Sequence, residues 1–175
     1  MFIDTIRSEG LAHLSYIMGN GGGAAVVDPR RDCEIYIDIA RRHGMKIRAI
    51  FETHRNEDYV IGSLDLARRT GAEIYHGGKF PFSYGKNVSE GDEFVFGNMK
   101  LQIIETPGHT YESISISLTD LSFNHEPIGV FTGDALFIGD VGRTDFYPDK
   151  PREVAALLYD SIFNKLLSLG DHVII

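Results

Sequence analysis

The chain has 175 residues, of which 43% are hydrophobic and 24% charged, and its formal net charge is −8. This is the composition of one globular domain with a sizeable core, and the acidic balance argues against nucleic-acid binding, which needs a basic surface. Cys33 is the only cysteine, so an intrachain disulfide and a cysteine-based zinc site are both excluded.

The first third of the chain predicts three strands and a helix. MFIDTIR and LAHLSYIMG read as strands, and the glycine-rich run from Gly19 to Gly23 predicts a tight hairpin into AAVVDP. A glycine run can also cradle phosphate, but no helix follows directly, which favours the hairpin. Ile35, Ile39 and Ala40 then predict a short amphipathic helix that ends at Gly44.

The middle of the chain alternates between strands and a helix. KIRAIFET predicts a strand that leads straight to His54, and YVIGSLDLARRTG predicts a helix that starts near Tyr59. AEIYHGG predicts a short strand, and the sequence from Val88 to Leu118 is rich in β-forming residues.

The last part contains a buried strand, a helix and the start of another strand. PIGVFTGDALF predicts a strand that ends at Gly133 and Asp134. PREVAALLYDSIFNKLLSLG predicts a helix with Pro151 at its start and Gly170 after its end. DHVII predicts one more strand, and because the sequence stops inside it, we expect a fragment of a longer chain. An edge strand at a true C-terminus is the alternative.

This order of elements predicts an α/β fold, an αββα sandwich in which helices cover the outer faces of two sheets. We assign residues 1–175 to one such domain. The segment after Met1 has neither a basic start nor an apolar core, and no apolar run approaches the ~20 residues of a membrane span. We therefore expect a cytoplasmic protein that contacts neither membrane nor nucleic acid.

Three polar residues each follow a predicted strand, and they are candidate metal ligands. His54 follows KIRAIFET, His109 follows KLQIIETPG, and Asp134 follows IGVFTG. Residues at neighbouring strand ends meet at one edge of a sandwich, and two imidazoles with one carboxylate can hold one metal ion. A single histidine after a strand is usually structural, so the prediction rests on all three together. Asp58 has a separate explanation as the N-cap of the following helix.

The motifs VVDPRRD, ETHRNED, TPGHTYES and FTGDALFIGDVGRTDF occur in this order. In this combination the chain resembles the metallo-β-lactamase fold superfamily from about Tyr16 to its end. The segment GDVGRTDF, from Gly139 to Phe146, is similar to the persulfide dioxygenase and rhodanese-linked branch. Glyoxalase II-type thioesterases share the fold and are less similar in that segment.

The resemblance implies a site with one metal ion. Two-metal hydrolases of this superfamily have His-x-His-x-Asp-His in the first motif, whereas this chain has Asn56 and Tyr59 at two of the histidine positions. The second metal would keep only Asp58 and a share of Asp134, too few ligands for a second site, which argues against a two-metal hydrolase. Persulfide dioxygenases hold one iron, and their ligands correspond to His54, His109 and Asp134.

The resemblance also suggests roles for the residues around these ligands. Tyr59 is a candidate catalytic residue that donates a hydrogen bond to substrate or oxygen, although it could instead pack at the helix start. Arg143 is a second candidate, which would hold a substrate carboxylate, or else form a loop salt bridge with Asp145. Asn56, Asp58 and Asp145 are expected to support the ligands from outside the metal sphere. The other histidines, namely His13, His43, His76, His125 and His172, are assigned structural or surface roles.

Three functions follow as hypotheses. The first is a sulfur dioxygenase with one Fe(II) per chain, acting on a low-molecular-weight thiol persulfide and O₂. The second is a hydrolase of the glyoxalase II type with a single Zn²⁺, a metal that also accepts two histidines, a carboxylate and water. The third is a non-enzymatic scaffold for a rhodanese partner. A rhodanese-like domain in the same chain is expected as a partner, and a homodimer is left open.

Overall fold

The computed structural model describes residues 1–56, 59–123 and 125–175, and three helices and two main sheets form its framework. The helices are α1 (Glu34–Arg42), α2 (Ser63–Thr70) and α3 (Pro151–Asp160). The strands are β1 (Phe2–Ser8), β2 (His13–Asn20), β3 (Gly23–Val27), β4 (Lys46–Glu52), β5 (Glu73–Gly77), β6 (Lys86–Val88), β7 (Glu93–Phe96), β8 (Met99–Glu105), β9 (Ile114–Asp120), β10 (Pro127–Phe131), β11 (Leu136–Phe137) and β12 (Asp140–Val141).

The strands form two packed sheets, as predicted. The first sheet has the order β1-β2-β3-β4-β5-β6, with antiparallel pairing up to β3 and parallel pairing from β3 onward. The second sheet is antiparallel with the order β10-β9-β8-β7, and β11 and β12 form a separate small hairpin. The predicted hairpin between β2 and β3 is confirmed, because Asn20 pairs with Gly23 across a two-residue turn in which Gly21 and Gly22 have positive φ.

Three layers of buried side chains hold the sandwich together. Tyr36 and Leu66 pack between the first sheet and its two helices, Phe51 and Leu101 lie between the sheets, and Leu158 joins α3 to the second sheet. Strand β3 is buried along its whole length, and β4 is buried from Ala49 onward, because both faces of these segments are covered. The αββα sandwich is thus confirmed. Among the described residues, no helix is both long and apolar enough to cross a membrane.

The structure corrects two predicted helix boundaries. The second helix starts at Ser63, with Gly62 at its N-cap, rather than near Tyr59, so the assignment of Asp58 as the N-cap is wrong. The segment before the helix is held elsewhere, since Gly62 donates its backbone N–H to the Pro29 carbonyl at 2.6 Å. The last predicted helix is regular only to Asp160.

Beyond Asp160 the backbone widens into a π-helical turn, Ser161–Leu166, and then tightens into a 3₁₀ turn, Leu167–Leu169. Where the helix changes, the Ser161 hydroxyl donates a hydrogen bond to the Pro107 carbonyl at 2.8 Å.

The strand predicted for DHVII is also corrected. Within the described part of the chain, it is reduced to an isolated parallel bridge between Ile174 and Gly129.

Truncation of Phe51 should strongly destabilise the fold. Its ring is fully buried between the sheets and lies 4.9 Å from the Phe94 ring centroid in an edge-on contact. We expect Phe51→Ala to lower the free energy of unfolding by ~3–5 kcal/mol. Phe123→Ala is the matched control, because Phe123 is 87% exposed and should change stability by less than ~0.5 kcal/mol. Urea denaturation measures both, and equal effects would contradict the assigned core.

Candidate metal centre

The three predicted ligands lie together at one edge of the sandwich. His54 follows β4 after one intervening residue, His109 lies in the loop between β8 and β9, and Asp134 lies in a 3₁₀ turn after β10. Both histidines are 5% exposed, whereas the Asp134 side chain is 35% exposed. The imidazoles are therefore fixed in the protein, and the carboxylate faces the open side of the site.

The separations of these side chains suit one metal ion. Asp134 Oδ2 lies 3.6 Å from His109 Nε2 and 3.8 Å from His54 Nε2. Potential ligand atoms of all three residues lie within 4.8 Å of one another. Two bonds of ~2.1 Å at tetrahedral or somewhat wider angles place their outer ends ~3.4–3.8 Å apart. The prediction that these three side chains converge is confirmed, and the donor set fits a divalent metal.

Hydrogen bonds orient both imidazoles toward the carboxylate. His109 Nδ1 donates to the carbonyl of Arg143 at 3.0 Å, and His54 Nδ1 lies 2.9 Å from Thr53 Oγ1. A partner on Nδ1 leaves the Nε2 lone pair for a metal, and outer partners of this kind set both the ring orientation and the ligand strength. The Phe146 ring also contacts His109 edge-on, with the ring centroids 5.0 Å apart.

Gly142 allows the loop after β12 to pass directly against two ligands. A Cβ atom at this position would lie 1.7 Å from the Asp134 carbonyl oxygen and 3.2 Å from His109 Nδ1. Such an approach is open only to glycine. The segment GDVGRTDF therefore contributes to the site through its backbone, by supporting Asp134 and by accepting the His109 hydrogen bond.

A largely apolar cavity of about 900 Å³ opens beside the ligands. His54, Asp134, Asn56 and Tyr59 line its end at the metal centre. Residues of β1, β2 and β10, of the β1–β2 loop and of the β11 segment contribute to its apolar wall. Asn56 thus lines the cavity, and its supporting role stays a prediction. Asp58 lies outside the described residues, and its supporting role stays a prediction.

Tyr59 packs against His13 at this cavity, with ring centroids 3.8 Å apart. Its hydroxyl is buried and has no hydrogen-bond partner among the described residues. Burial raises the pKa of Tyr59 far above its ordinary value, so this hydroxyl stays protonated and can donate. His13 is buried and lines the same cavity.

Arg143 and Asp145 form an exposed salt bridge. Arg143 Nε and Nη2 donate to the two Asp145 carboxylate oxygens at 2.6 and 2.8 Å, and this pairing lowers the pKa of Asp145. The guanidinium also lies over the Phe146 ring, 4.8 Å from its centroid. Neither charged side chain lines the described cavity. The salt bridge matches one of the two interpretations of GRTD, and anchoring of substrate by Arg143 stays a prediction.

Three supporting residues were missed from the sequence. Glu112 is 2% exposed and accepts the backbone N–H of Arg55 at 3.1 Å, which fixes the chain after His54. Asp28 and Thr53 are buried, and the Thr53 hydroxyl donates a hydrogen bond to the Asp28 carboxylate. Burial raises the pKa of Asp28 to about 7, against the opposing effect of its hydrogen bonds from Thr53. Asp28 directly follows the strand ending at Val27, the same position that identified the metal ligands, so a signal for it was present.

Comparison with known proteins agrees with this architecture. Hydroxyacylglutathione hydrolase GloC of Haemophilus influenzae is 30% identical over an alignment of 183 positions, which covers 92% of this chain and 82% of that enzyme. Hydroxyacylglutathione hydrolases from Brucella species match over 106 residues, which is only 38% of their length.

Two crystal structures cover almost the whole chain. A metallo-beta-lactamase from Staphylococcus aureus subsp. aureus COL has a TM-score of 0.90 and 34% identity, and the match covers 99% of this chain but only 54% of that protein. ETHE1 from Myxococcus xanthus has a TM-score of 0.85 and 29% identity, with coverage of 99% and 74%. The family model of the metallo-beta-lactamase superfamily matches residues 9–175. The chain therefore belongs to the metallo-beta-lactamase superfamily and has glyoxalase II-like enzymes, the hydroxyacylglutathione hydrolases, among its relatives.

Proposed function

We propose that this protein is a sulfur dioxygenase that uses one Fe(II) per chain to oxidise a low-molecular-weight thiol persulfide. The observation that carries the proposal is the ligand set. Among the described residues, His54, His109 and Asp134 are the one group of three or more His, Cys, Asp or Glu side chains whose geometry could hold a metal ion. Two histidines and one carboxylate with open positions are typical of non-haem Fe(II) oxygenases. The likeness of GDVGRTDF to the persulfide dioxygenase branch supports the same choice.

The reaction consumes one persulfide, one O₂ and one water, and it yields one thiol, one sulfite and two protons. The terminal sulfur loses four electrons, and O₂ accepts them. When bound, Fe(II) supplies the redox chemistry that joins the two substrates. The chain's own residues hold the metal ligands in place and orient the substrate. The Nδ1 hydrogen bonds fix His54 and His109, and the protonated Tyr59 hydroxyl is available to donate a hydrogen bond to the substrate.

A hydrolase with a single zinc ion is the second candidate, because hydroxyacylglutathione hydrolases are among the relatives of this chain. Zn²⁺ accepts the same three ligands and lowers the pKa of a bound water. A scaffold role without catalysis is the third, because Asn56 and Tyr59 replace two family histidines. The rhodanese-like domain, the homodimer and the cytoplasmic location stay predictions.

Metal exchange separates the first two candidates. Protein loaded anaerobically with Fe(II) or with Zn²⁺ is assayed for O₂ uptake and sulfite release with glutathione persulfide, and for hydrolysis of a glutathione thioester. We expect O₂ uptake and sulfite in equal amounts from the iron-loaded protein alone. Thioester hydrolysis by the zinc-loaded protein, without O₂ uptake by the iron-loaded one, would overturn the proposal in favour of the hydrolase. Inactivity of both forms would favour the scaffold.

Restoration of a family histidine at Asn56 is a further test. Asn56 lies at the cavity but is not one of the three converging ligands, so Asn56→His should leave the affinity for the first metal within about threefold. Isothermal titration of the metal-free protein with Zn²⁺ measures this affinity, and Asn87→His, at the end of the first sheet, is the control. If Asn56→His creates a zinc-dependent esterase while the parent protein binds no metal, the site is that of a hydrolase that has lost a metal ligand, and the dioxygenase proposal is wrong.

A further inference from the structure

Thr53 is a buried residue that separates β4 from the ligand His54. It is 1% exposed, and both its backbone and its side chain are bonded to one carboxylate. Its N–H donates to Asp28 Oδ1 at 2.8 Å, and its hydroxyl donates to Asp28 Oδ2 at 2.7 Å. Because these two bonds occupy both carboxylate oxygens, the Thr53 side chain is fixed in one rotamer.

The direction of these bonds determines the tautomer of His54. Asp28 accepts hydrogen bonds at both carboxylate oxygens, from the Thr53 N–H and from the Thr53 hydroxyl, so the single hydroxyl proton of Thr53 is directed to Asp28. The Thr53 oxygen, 2.9 Å from His54 Nδ1, must then accept a hydrogen bond from that nitrogen. His54 carries its proton on Nδ1, and its Nε2 lone pair faces Asp134 and the metal position.

Thr53 also contacts the loops that carry the other two ligands. A Cβ atom on Gly133, the residue before Asp134, would lie 2.4 Å from Thr53 Oγ1, and Gly133 has a φ of +51°. The Thr53 carbonyl accepts the N–H of Ile114 at 2.8 Å, at the end of the loop that carries His109. One residue therefore contacts all three ligand segments.

Asp28 is held in an unusual backbone conformation. Its φ is +48°, and among the described residues no other residue except glycine has a positive φ. Its N–H donates to the Phe51 carbonyl at 2.9 Å, and its own carbonyl accepts from His13 Nε2 at 3.0 Å. Asp and Asn adopt this left-handed region more readily than other non-glycine residues. In this conformation the Asp28 carboxylate is directed at Thr53.

We infer that Thr53 and Asp28 are positioning residues for the metal centre: Asp28 orients the Thr53 hydroxyl, which sets the tautomer of His54 and holds the three ligand loops together. The inference rests on the three-residue metal site of the proposed function and is independent of the reaction and of the metal identity. Neither residue is one of the three converging ligands.

Three variants test this role with cobalt(II) as the probe. Thr53→Val keeps the shape of the side chain and removes the hydroxyl, whereas Thr53→Ser keeps the hydroxyl. Asp28→Asn keeps the shape of the carboxylate and tolerates positive φ, but its amide N–H₂ donates to Thr53. The Thr53 hydroxyl proton is then released toward His54 Nδ1, which favours the wrong tautomer for metal binding.

The measurements are the cobalt(II) affinity, by competition with a chromophoric chelator, and the visible spectrum of the cobalt(II) complex. Both are made at about pH 8, above the pKa of Asp28. We expect Thr53→Val and Asp28→Asn to weaken binding by ~10–100-fold and to change the cobalt spectrum. Thr53→Ser should restore the parent affinity and spectrum, which a role in packing alone would not explain.

Parent-like affinity and spectrum in both Thr53→Val and Asp28→Asn would overturn the inference. Circular dichroism confirms folding of each variant, and if Thr53→Val does not fold, Asp28→Asn decides by the same two readings. Failure of the proposed function gives a different result, namely a parent protein that binds one metal with the expected dependence on Thr53 but consumes no O₂ with persulfide.

Discussion

Replacement of His109 by alanine should abolish metal binding and, with it, any O₂ consumption with persulfide. His109 supplies one of three converging ligand atoms, and its Nε2 lies 3.6 Å from Asp134 Oδ2. The remaining pair cannot complete a site, so the loss in affinity should exceed the ~10–100-fold cost of removing an outer hydrogen bond. Metal analysis after dialysis against a weak chelator measures the effect.

His172→Ala is the matched control for this change. The His172 side chain is 55% exposed and lies 4.0 Å from the Glu126 carboxylate, so its loss should leave the metal content unchanged. Equal metal content in His109→Ala and in the parent protein would show that the metal binds elsewhere.

A single methyl group on Gly142 should also disrupt the centre. The added Cβ would lie 1.7 Å from the Asp134 carbonyl oxygen, so either the loop or Asp134 must move. Because the same loop carries the Arg143 carbonyl that accepts from His109, two ligands lose their support. We expect Gly142→Ala to weaken metal binding by at least ~10–100-fold.

Gly78→Ala is the control for the added methyl group, since a Cβ at Gly78 meets only side-chain atoms at ordinary contact distances of 3.5 Å and more. Titration of metal-free protein with cobalt(II), together with thermal unfolding, separates loss of the site from loss of the fold. If Gly142→Ala binds cobalt(II) as tightly as Gly78→Ala does, the close approach of this loop has no part in ligand support.

The sequence predicts the features that depend on local patterns. Alternating and continuous apolar segments identify most strands, glycines identify the hairpin at Gly21 and Gly22, and the position after a strand identifies His54, His109 and Asp134. These succeed because strand periodicity and turn chemistry are local properties. The two-sheet arrangement follows from the order of the elements.

The sequence did not predict features that depend on contacts between distant segments. The start of α2 at Ser63 depends on the turn that contains Pro29, more than 30 residues earlier by sequence number. Likewise, Thr53 is a common residue whose role appears only when Asp28 and Gly133 are brought beside it. The short strands β11 and β12 carry too few residues to produce a periodic signal.

The most direct test of the one-metal site is the number of metal ions that each chain binds. Metal-free protein is titrated with Zn²⁺, Fe(II) or cobalt(II), and bound metal is measured by mass spectrometry under non-denaturing conditions. With His54, His109 and Asp134 as the ligands, the expected result is one tightly bound ion per chain for each metal, lost in His109→Ala and retained in Asp58→Ala. Two tightly bound ions per chain, both lost in Asp58→Ala, would contradict the account.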